Sequence, residues 1–147
     1  MDWGYVAFDV APEKLAEAIA GAKAMKFIGL NLTVPHKLLA MDMVDELDES
    51  ARTWGAVNTI RFEAKDAQGV WQPLSSLEEV TGIIRTHGFN TDADAIARSI
   101  REDLELPLRG ARVVLLGAGG AGRGAAPKLA ETGVGELYLL NSKPSKA

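Results

Sequence analysis

Cysteine is absent from the 147 residues, so no disulfide framework and no thiolate-bound metal stabilises this chain. Histidine occurs only at His36 and His87, without the spacing of a metal-binding pair. No apolar run approaches membrane-spanning length. The N-terminus lacks a basic region leading into an apolar core, so no signal peptide is read and a cytoplasmic protein is expected. Positive charge is not in excess: 16 Lys and Arg face 20 Asp and Glu, for a net charge of −4. That balance argues against nucleic-acid or acidic-membrane partners. There is no Gly-x-Ser-x-Gly nucleophile elbow, no phosphate loop ending in Gly-Lys-Ser or Gly-Lys-Thr, no internal repeat and no low-complexity segment. What remains is ordinary for a soluble globular chain, 47% hydrophobic and 24% charged. Its length fits one large domain or two small units.

The hydrophobic pattern favours an α/β fold. Residues Tyr5 to Val10 read as a short strand, and Pro12 suits the first turn of a helix whose face is Leu15, Ala18, Ile19 and Ala22. Lys26 to Leu32 reads as a second strand. A helix is expected beyond Lys37, with Ala40, Met43, Val44 and Leu47 on one side, and a short one closes at Arg52 to Gly55. Ala56 to Phe62 reads as a strand carrying Asn58, Glu63 to Gly69 as a turn, and Val70 to Leu74 as another strand. The alternation of strand and helix predicts a parallel arrangement. Ser75 to Gly88 fits a helix face or a strand equally. Asn90-Thr91-Asp92 reads as a helix entry, Thr91 or Asp92 capping the orphan N–H groups, with Ala93, Ile96, Ala97, Ile100 and Leu104 along one side.

A second unit begins after Pro107 and Gly110. Ala111 to Leu116 is a continuous apolar run, the pattern of a strand buried on both faces. Gly117, Ala118, Gly119, Gly120, Ala121 and Gly122 follow, matching G-x-G-x-x-G at Gly117, Gly119 and Gly122. The run follows a strand, precedes a helix and sits inside β-α-β, the context in which glycines let a pyrophosphate approach backbone N–H groups. A glycine turn used only for packing is the plainer alternative. Glu136 to Asn141 is the next strand. An acidic residue at its end would hold the ribose 2′-hydroxyl of NAD. Asn141 stands there, followed by Ser142, Lys143 and Lys146, which favours the 2′-phosphate of NADP with NAD as the alternative. Lys143 and Lys146 as solvated surface lysines carry equal weight.

The densest chemistry lies between Asn31 and Lys37, where an amide, a hydroxyl, an imidazole and an amine occur within seven residues. Pro35 disfavours helix at Val34, so the segment enters extended and turns late. Alternation then sets Asn31 and Thr33 on one side, within reach of one ligand, with Lys37 just past the turn. His36 is read as a support of that turn. A lone lysine is ordinarily a surface residue and a lone aspartate at a helix start ordinarily a cap. Asn58 is more telling, because amides are depleted from strands and a buried one needs partners.

Four segments, Asn31 to Lys37, Gly55 to Thr59, Gly88 to Asp92 and Gly117 to Ala121, stand in the order found in the shikimate dehydrogenase family, which this chain resembles over nearly its whole length. The resemblance implies an N-terminal α/β substrate domain over residues 1–91, without its first strand. A connecting helix and linker would occupy 92–109, and an incomplete Rossmann dinucleotide-binding domain 110–147. It implies NADP-dependent reduction of 3-dehydroshikimate to shikimate, within aromatic amino-acid biosynthesis. Lys37 and Asp92 would be the catalytic pair, and Thr33 and Asn58 would bind ring hydroxyls with Asn31 nearby. The partner is then a small-molecule substrate, and the sequence gives no oligomeric state. The family's serine-bearing first strand and glutamine-bearing returning helix have no counterpart here. The chain is therefore expected to be a central portion, truncated at both ends and inactive alone. Asn141-Ser142-Lys143 replaces the family's Asn-Arg-Thr, and Ala93 a frequent glycine. The alternatives are a quinate/shikimate dehydrogenase using NAD and a non-catalytic ligand-binding relative.

Overall fold

A computed structural model describes residues 3–118 and 120–142. The chain forms two compact units, one of residues 1–48 and 56–89, the other of 49–55 and 90–147.

The first unit is built on a mixed five-stranded sheet. Its central strand is β3 (Thr59–Lys65). Strand β1 (Gly29–Asn31) pairs antiparallel with the first half of one edge of β3, and β4 (Trp71–Pro73) with the second half. Strand β5 (Ile84–Phe89) runs antiparallel along the other edge, and β2 (Glu46–Leu47) adds to β5 in parallel. The expected parallel sheet is thus realised in this unit at one pairing only. The reason lies in the connections: Asp66 accepts N–H groups from Gln68 and Val70, closing a tight turn from β3 back into β4. The turn starts at Asp66, and residues read as turn from Glu63 extend the strand instead.

Alternation along β3 separates two faces. Ile60, Phe62 and Ala64 are fully buried, and Leu15, Ile19 and Ala22 of α1 (Leu15–Ala24) are buried, the face that the helical period predicts. The segment Tyr5 to Val10 is a correction. It pairs with no strand, and Tyr5, Val6 and Phe8 are exposed. Apolar alternation marks a strand only when an edge is there to pair with. The helix expected beyond Lys37 is also shorter. It ends as α2 (His36–Leu39) and one 3-10 turn at Ala40–Asp42. Asp45 then exchanges hydrogen bonds with Thr86: its N–H donates to the Thr86 hydroxyl (2.8 Å), and its carboxylate accepts the Thr86 N–H (2.8 Å) and hydroxyl (2.9 Å). That exchange draws residues 46–47 alongside β5, which a helix would forbid.

On the opposite face of β3, Glu63 is 2% exposed. Its carboxylate accepts from Arg61 Nε (2.8 Å) and Arg85 Nε (2.7 Å), with His87 Nδ1 at 3.2 Å. Arg61 lies over the Phe89 ring and Arg85 over Trp71. Burial alone pushes the Glu63 carboxyl up. Hydrogen bonds from Arg61, Arg85 and His87, with the Arg61 charge, outweigh it and hold the group below its usual 4.5.

The second unit pairs β6 (Arg112–Leu116) in parallel with β7 (Glu136–Leu140), the two joined through α5 (Gly120–Glu131). Ala125 and Leu129 of α5 pack with Ala97 of α4 (Asp92–Glu102) and Leu108, against Val113, Leu115 and Leu137. Burial on both faces of β6 is not realised among the described residues: Val114, Leu116, Tyr138 and Leu140 are exposed on the other face. The short helix α3 (Glu49–Trp54) belongs to this unit. A Cβ on Gly124 would fall 1.5 Å from the Trp54 ring, so the indole lies directly on the α5 backbone.

Two outcomes follow from these contacts. Glu63→Gln should cost about 2 kcal/mol of stability at neutral pH, because the charged acceptor of two guanidiniums is lost. The folded-state pKa is depressed, so the contribution is present above the usual value of 4.5 and is lost as pH falls below it. Denaturant titrations of both proteins should converge at low pH. Gly124→Ala should cost about 1–3 kcal/mol by expelling Trp54, read from thermal unfolding and a red shift of tryptophan emission.

Candidate functional site

In the first unit the polar cluster is assembled by main-chain hydrogen bonds at the start of β3. Leu32 N–H donates to the Asn58 carbonyl (2.8 Å), and Val57 N–H donates to the Lys37 carbonyl (2.8 Å). These two bonds hold the segment from Asn31 to Lys37 against residues 57 and 58. The Thr33 carbonyl accepts from His36 N–H (2.8 Å) and Lys37 N–H (3.3 Å), closing the turn around a cis Val34–Pro35 peptide. His36 Nε2 donates to the Val10 carbonyl (2.8 Å), so the imidazole supports the turn and ties residue 10 to it. Lys37 emerges as the second residue of α2.

Asn58 is buried. It sits immediately before β3 rather than within a strand, its N–H donating to the Phe89 carbonyl (3.0 Å). Its Oδ1 accepts the Thr59 hydroxyl (2.9 Å). Thr59 Oγ1 in turn accepts from Asn31 Nδ2 (3.2 Å), and Asn31 Oδ1 accepts the Tyr5 hydroxyl (3.3 Å). Asn31, Lys37 and Asn58 are therefore drawn to one end of the sheet, with the exposed Thr33 on the connecting turn. Thr59 closes the segment Gly55 to Thr59, whereas Tyr5 reads in sequence only as the start of a strand.

The remaining residues belong to the second unit. Asp92 opens α4. Thr91, at the N-cap, makes no side-chain cap bond. Asn90, buried, accepts the Asp92 N–H through Oδ1 (3.0 Å), and its own N–H donates to Ser50 Oγ (3.1 Å). A short amide two residues upstream reaches that N–H without strain, which a side chain on the N-cap itself does not do here.

Gly117 adopts φ +102, and a Cβ on Gly122 would fall 2.0 Å from the Gly117 carbonyl oxygen. Both positions thus require glycine, the first for its backbone angle and the second for close approach of helix to turn. Gly117 N–H donates to the Leu140 carbonyl (2.7 Å) and Ala118 N–H to Asn141 Oδ1 (3.4 Å). Leu116, Gly117, Leu140, Asn141 and Ser142 line an open cleft of about 390 Å³. A turn that only glycine can form, at a helix start and beside a cleft, fits a dinucleotide pyrophosphate. Gly120 and Ala121 begin α5. Gly119, Lys143 and Lys146 lie outside the described residues. Among the described residues no cluster of His, Asp and Glu could hold a metal ion, and no helix is long and apolar enough to cross a membrane.

An α/β unit with a polar strand-end cluster, joined in sequence to a glycine-loop β-α-β unit, defines a class of substrate-plus-dinucleotide folds. The family model for the shikimate dehydrogenase substrate binding domain matches residues 1–60. Shikimate dehydrogenase (NADP(+)) of Methanopyrus kandleri is 39% identical over 147 residues, all of this chain and 44% of that protein. The crystal structure of shikimate 5-dehydrogenase from Thermus thermophilus, solved in complex with NADP(H) and shikimate, is 33% identical with a TM-score of 0.71. It covers 95% of this chain and 45% of that one. Ligand-free 5-ketofructose reductase of Gluconobacter is 35% identical with a TM-score of 0.73, over 95% of this chain and 43% of that one. The chain is similar to shikimate dehydrogenases over its whole length and spans under half the length of these relatives.

The cap of α4 yields a test. Asn90→Ala removes the acceptor of the Asp92 N–H and should lower stability by about 1 kcal/mol. Hydrogen exchange should quicken first at the Asp92 amide, whereas Thr91→Ala should leave it unchanged.

Proposed function

We propose that the protein carrying this chain reduces 3-dehydroshikimate to shikimate with NADPH. The observation that carries the reading is the gathering of Asn31, Thr33, Lys37 and Asn58 at one end of the first sheet. Two amides and a hydroxyl suit the ring hydroxyls of a polyhydroxylated acid. Negative charge develops on a ketone oxygen as it is reduced, and an ammonium there stabilises that charge and donates the proton. That is the role of Lys37. Asp92 is the other member of the catalytic pair that the family resemblance implies, serving the same proton transfer. Gly117, Ala118, Gly119, Gly120, Ala121 and Gly122 cradle the dinucleotide, which when bound supplies the hydride. Asn141 and Ser142, with Lys143 and Lys146, take the adenosine end. The names of the relatives support NADP over NAD.

A second reading has its own support in the 35% identity to 5-ketofructose reductase. A polyhydroxylated ketone other than 3-dehydroshikimate would use the same amides, hydroxyl and lysine. The purified protein carrying this chain, assayed for shikimate-dependent NADP⁺ reduction beside NADPH oxidation by 5-ketofructose, separates the two. Activity on the second substrate alone favours the second reading, and activity on neither removes both.

Lys37→Ala should lower turnover by about 10²–10⁴-fold with a smaller effect on substrate affinity. Asp92→Asn should be strongly non-additive with it, since both residues serve one proton transfer. Additive losses would separate their roles. Ser142→Arg should raise the ratio of kcat/KM for NADP over NAD, because a guanidinium fork matches phosphate oxygens better than lysine does.

A further inference from the structure

We infer that Arg61 is a positioning residue of this site, holding the main chain of Asn58 through the Phe89 ring, while Arg85, its counterpart on the same carboxylate, has no part in the site. This role rests on the proposed substrate site and deepens it.

Glu63 divides its two oxygens between two arms. Oε1 accepts Arg61, through Nε at 2.8 Å and also through Nη2, and lies 3.2 Å from His87 Nδ1. Oε2 accepts Arg85 through Nε at 2.7 Å, with Arg85 Nη2 also at 2.7 Å. Each guanidinium then covers a ring: Arg61 lies 4.7 Å from the centre of Phe89, and Arg85 4.4 Å from that of Trp71. The arms are alike in chemistry and lead to opposite ends of β3. Trp71 opens β4 and pairs with Lys65, the last residue of β3. Phe89 ends β5 and pairs with Thr59, the first.

Only the Phe89 end meets the site. The Phe89 carbonyl accepts the Asn58 N–H (3.0 Å), and the Asn58 carbonyl accepts the Leu32 N–H (2.8 Å). A main-chain path thus runs from Phe89 through Asn58 to Leu32, the residue after Asn31. Strand pairing gives out at Phe89, so side-chain contacts decide how still that carbonyl is held. The Phe89 ring meets Arg61 and, with 4.3 Å between centroids, His87. Both neighbours contact the same Glu63 oxygen. The Arg61 side chain is 41% exposed, and a long cation so exposed is costly to hold in one rotamer. Charge-assisted hydrogen bonds to Glu63 keep its plane on the ring. A held ring limits the motion of its own Cα and carbonyl, and through them that of the Asn58 amide.

The test sets Arg61→Gln beside Arg85→Gln in the protein carrying this chain. Each removes one guanidinium from the same carboxylate, so a merely structural role predicts matching effects. Arg61→Gln should raise KM for shikimate about threefold, the scale of one cation–π contact, with kcat within about twofold of the parent. Arg85→Gln should keep the parental KM. A parental KM in Arg61→Gln overturns the inference, as does an equal rise in both variants. Hydrogen exchange at the Asn58 amide needs no substrate. It should be about threefold faster in Arg61→Gln than in Arg85→Gln, and equal rates overturn the inference. Should the parent not use shikimate, the proposed function fails, and the exchange rates alone decide the role of Arg61. Should Arg61→Gln fail to fold, Phe89→Leu carries the test, since it removes the ring and leaves the groups bonded to Glu63 in place. Exchange at the Asn58 amide should quicken there and return to the parental rate in Phe89→Tyr, which keeps a ring. An unchanged rate in Phe89→Leu overturns the inference.

Discussion

The candidate substrate site depends on two main-chain hydrogen bonds, from Leu32 to the Asn58 carbonyl and from Val57 to the Lys37 carbonyl. They pin a polar, turning segment to the start of the central strand. Without them Asn31 would be placed by its β1 pairing alone and Thr33 and Lys37 would project from a loop, and loops hold side chains less well than strands and helices. With them, three side chains take their positions from the backbone of β3, whose Ile60, Phe62 and Ala64 are fully buried. The geometry of the site is thus inherited from the core. Contacts made by the polar side chains refine it but do not create it.

The motifs were legible because each states a backbone requirement in its residue types. Gly117 and Gly122 announce a turn that no other residue can form, and the strand and helix on either side follow from hydrophobic pattern. Pro35 announces an extended entry into a turn, and His36 supports that turn as read. Leu15, Ile19 and Ala22 announce one buried helix face, and that face is buried. In each case the determinant is local, carried within a few residues of the position it explains.

The errors share the opposite property. Tyr5 to Val10 has strand-like alternation, but a strand is defined by a partner, and local pattern says nothing about which edges are available. The stretch after Ala40 has helical spacing, yet Asp45 is captured by Thr86, 41 residues away, and the helix stops. The antiparallel pairing of β3 with β4 depends on one carboxylate, Asp66, closing a tight turn. Asn90, not Thr91, supplies the acceptor at the start of α4, because Ser50 holds its backbone from another element. Local pattern bounds such contacts and cannot choose among them.

The two faces of β3 divide the work of the first unit. The apolar face, with Ile60, Phe62 and Ala64, is buried without directional demands, so it tolerates side chains of the right volume. The other face is ionic, and ionic groups constrain direction as well as distance. Glu63 fixes two guanidiniums, and each guanidinium plane then covers an aromatic ring. The Arg61 plane lies over Phe89, whose carbonyl receives the Asn58 N–H. The carboxylate of Glu63 therefore stiffens the end of β5 through Arg61 and Phe89, and through it the main-chain position of Asn58. An acidic residue that touches none of the candidate ligand-binding groups is in this way part of what holds one of them still.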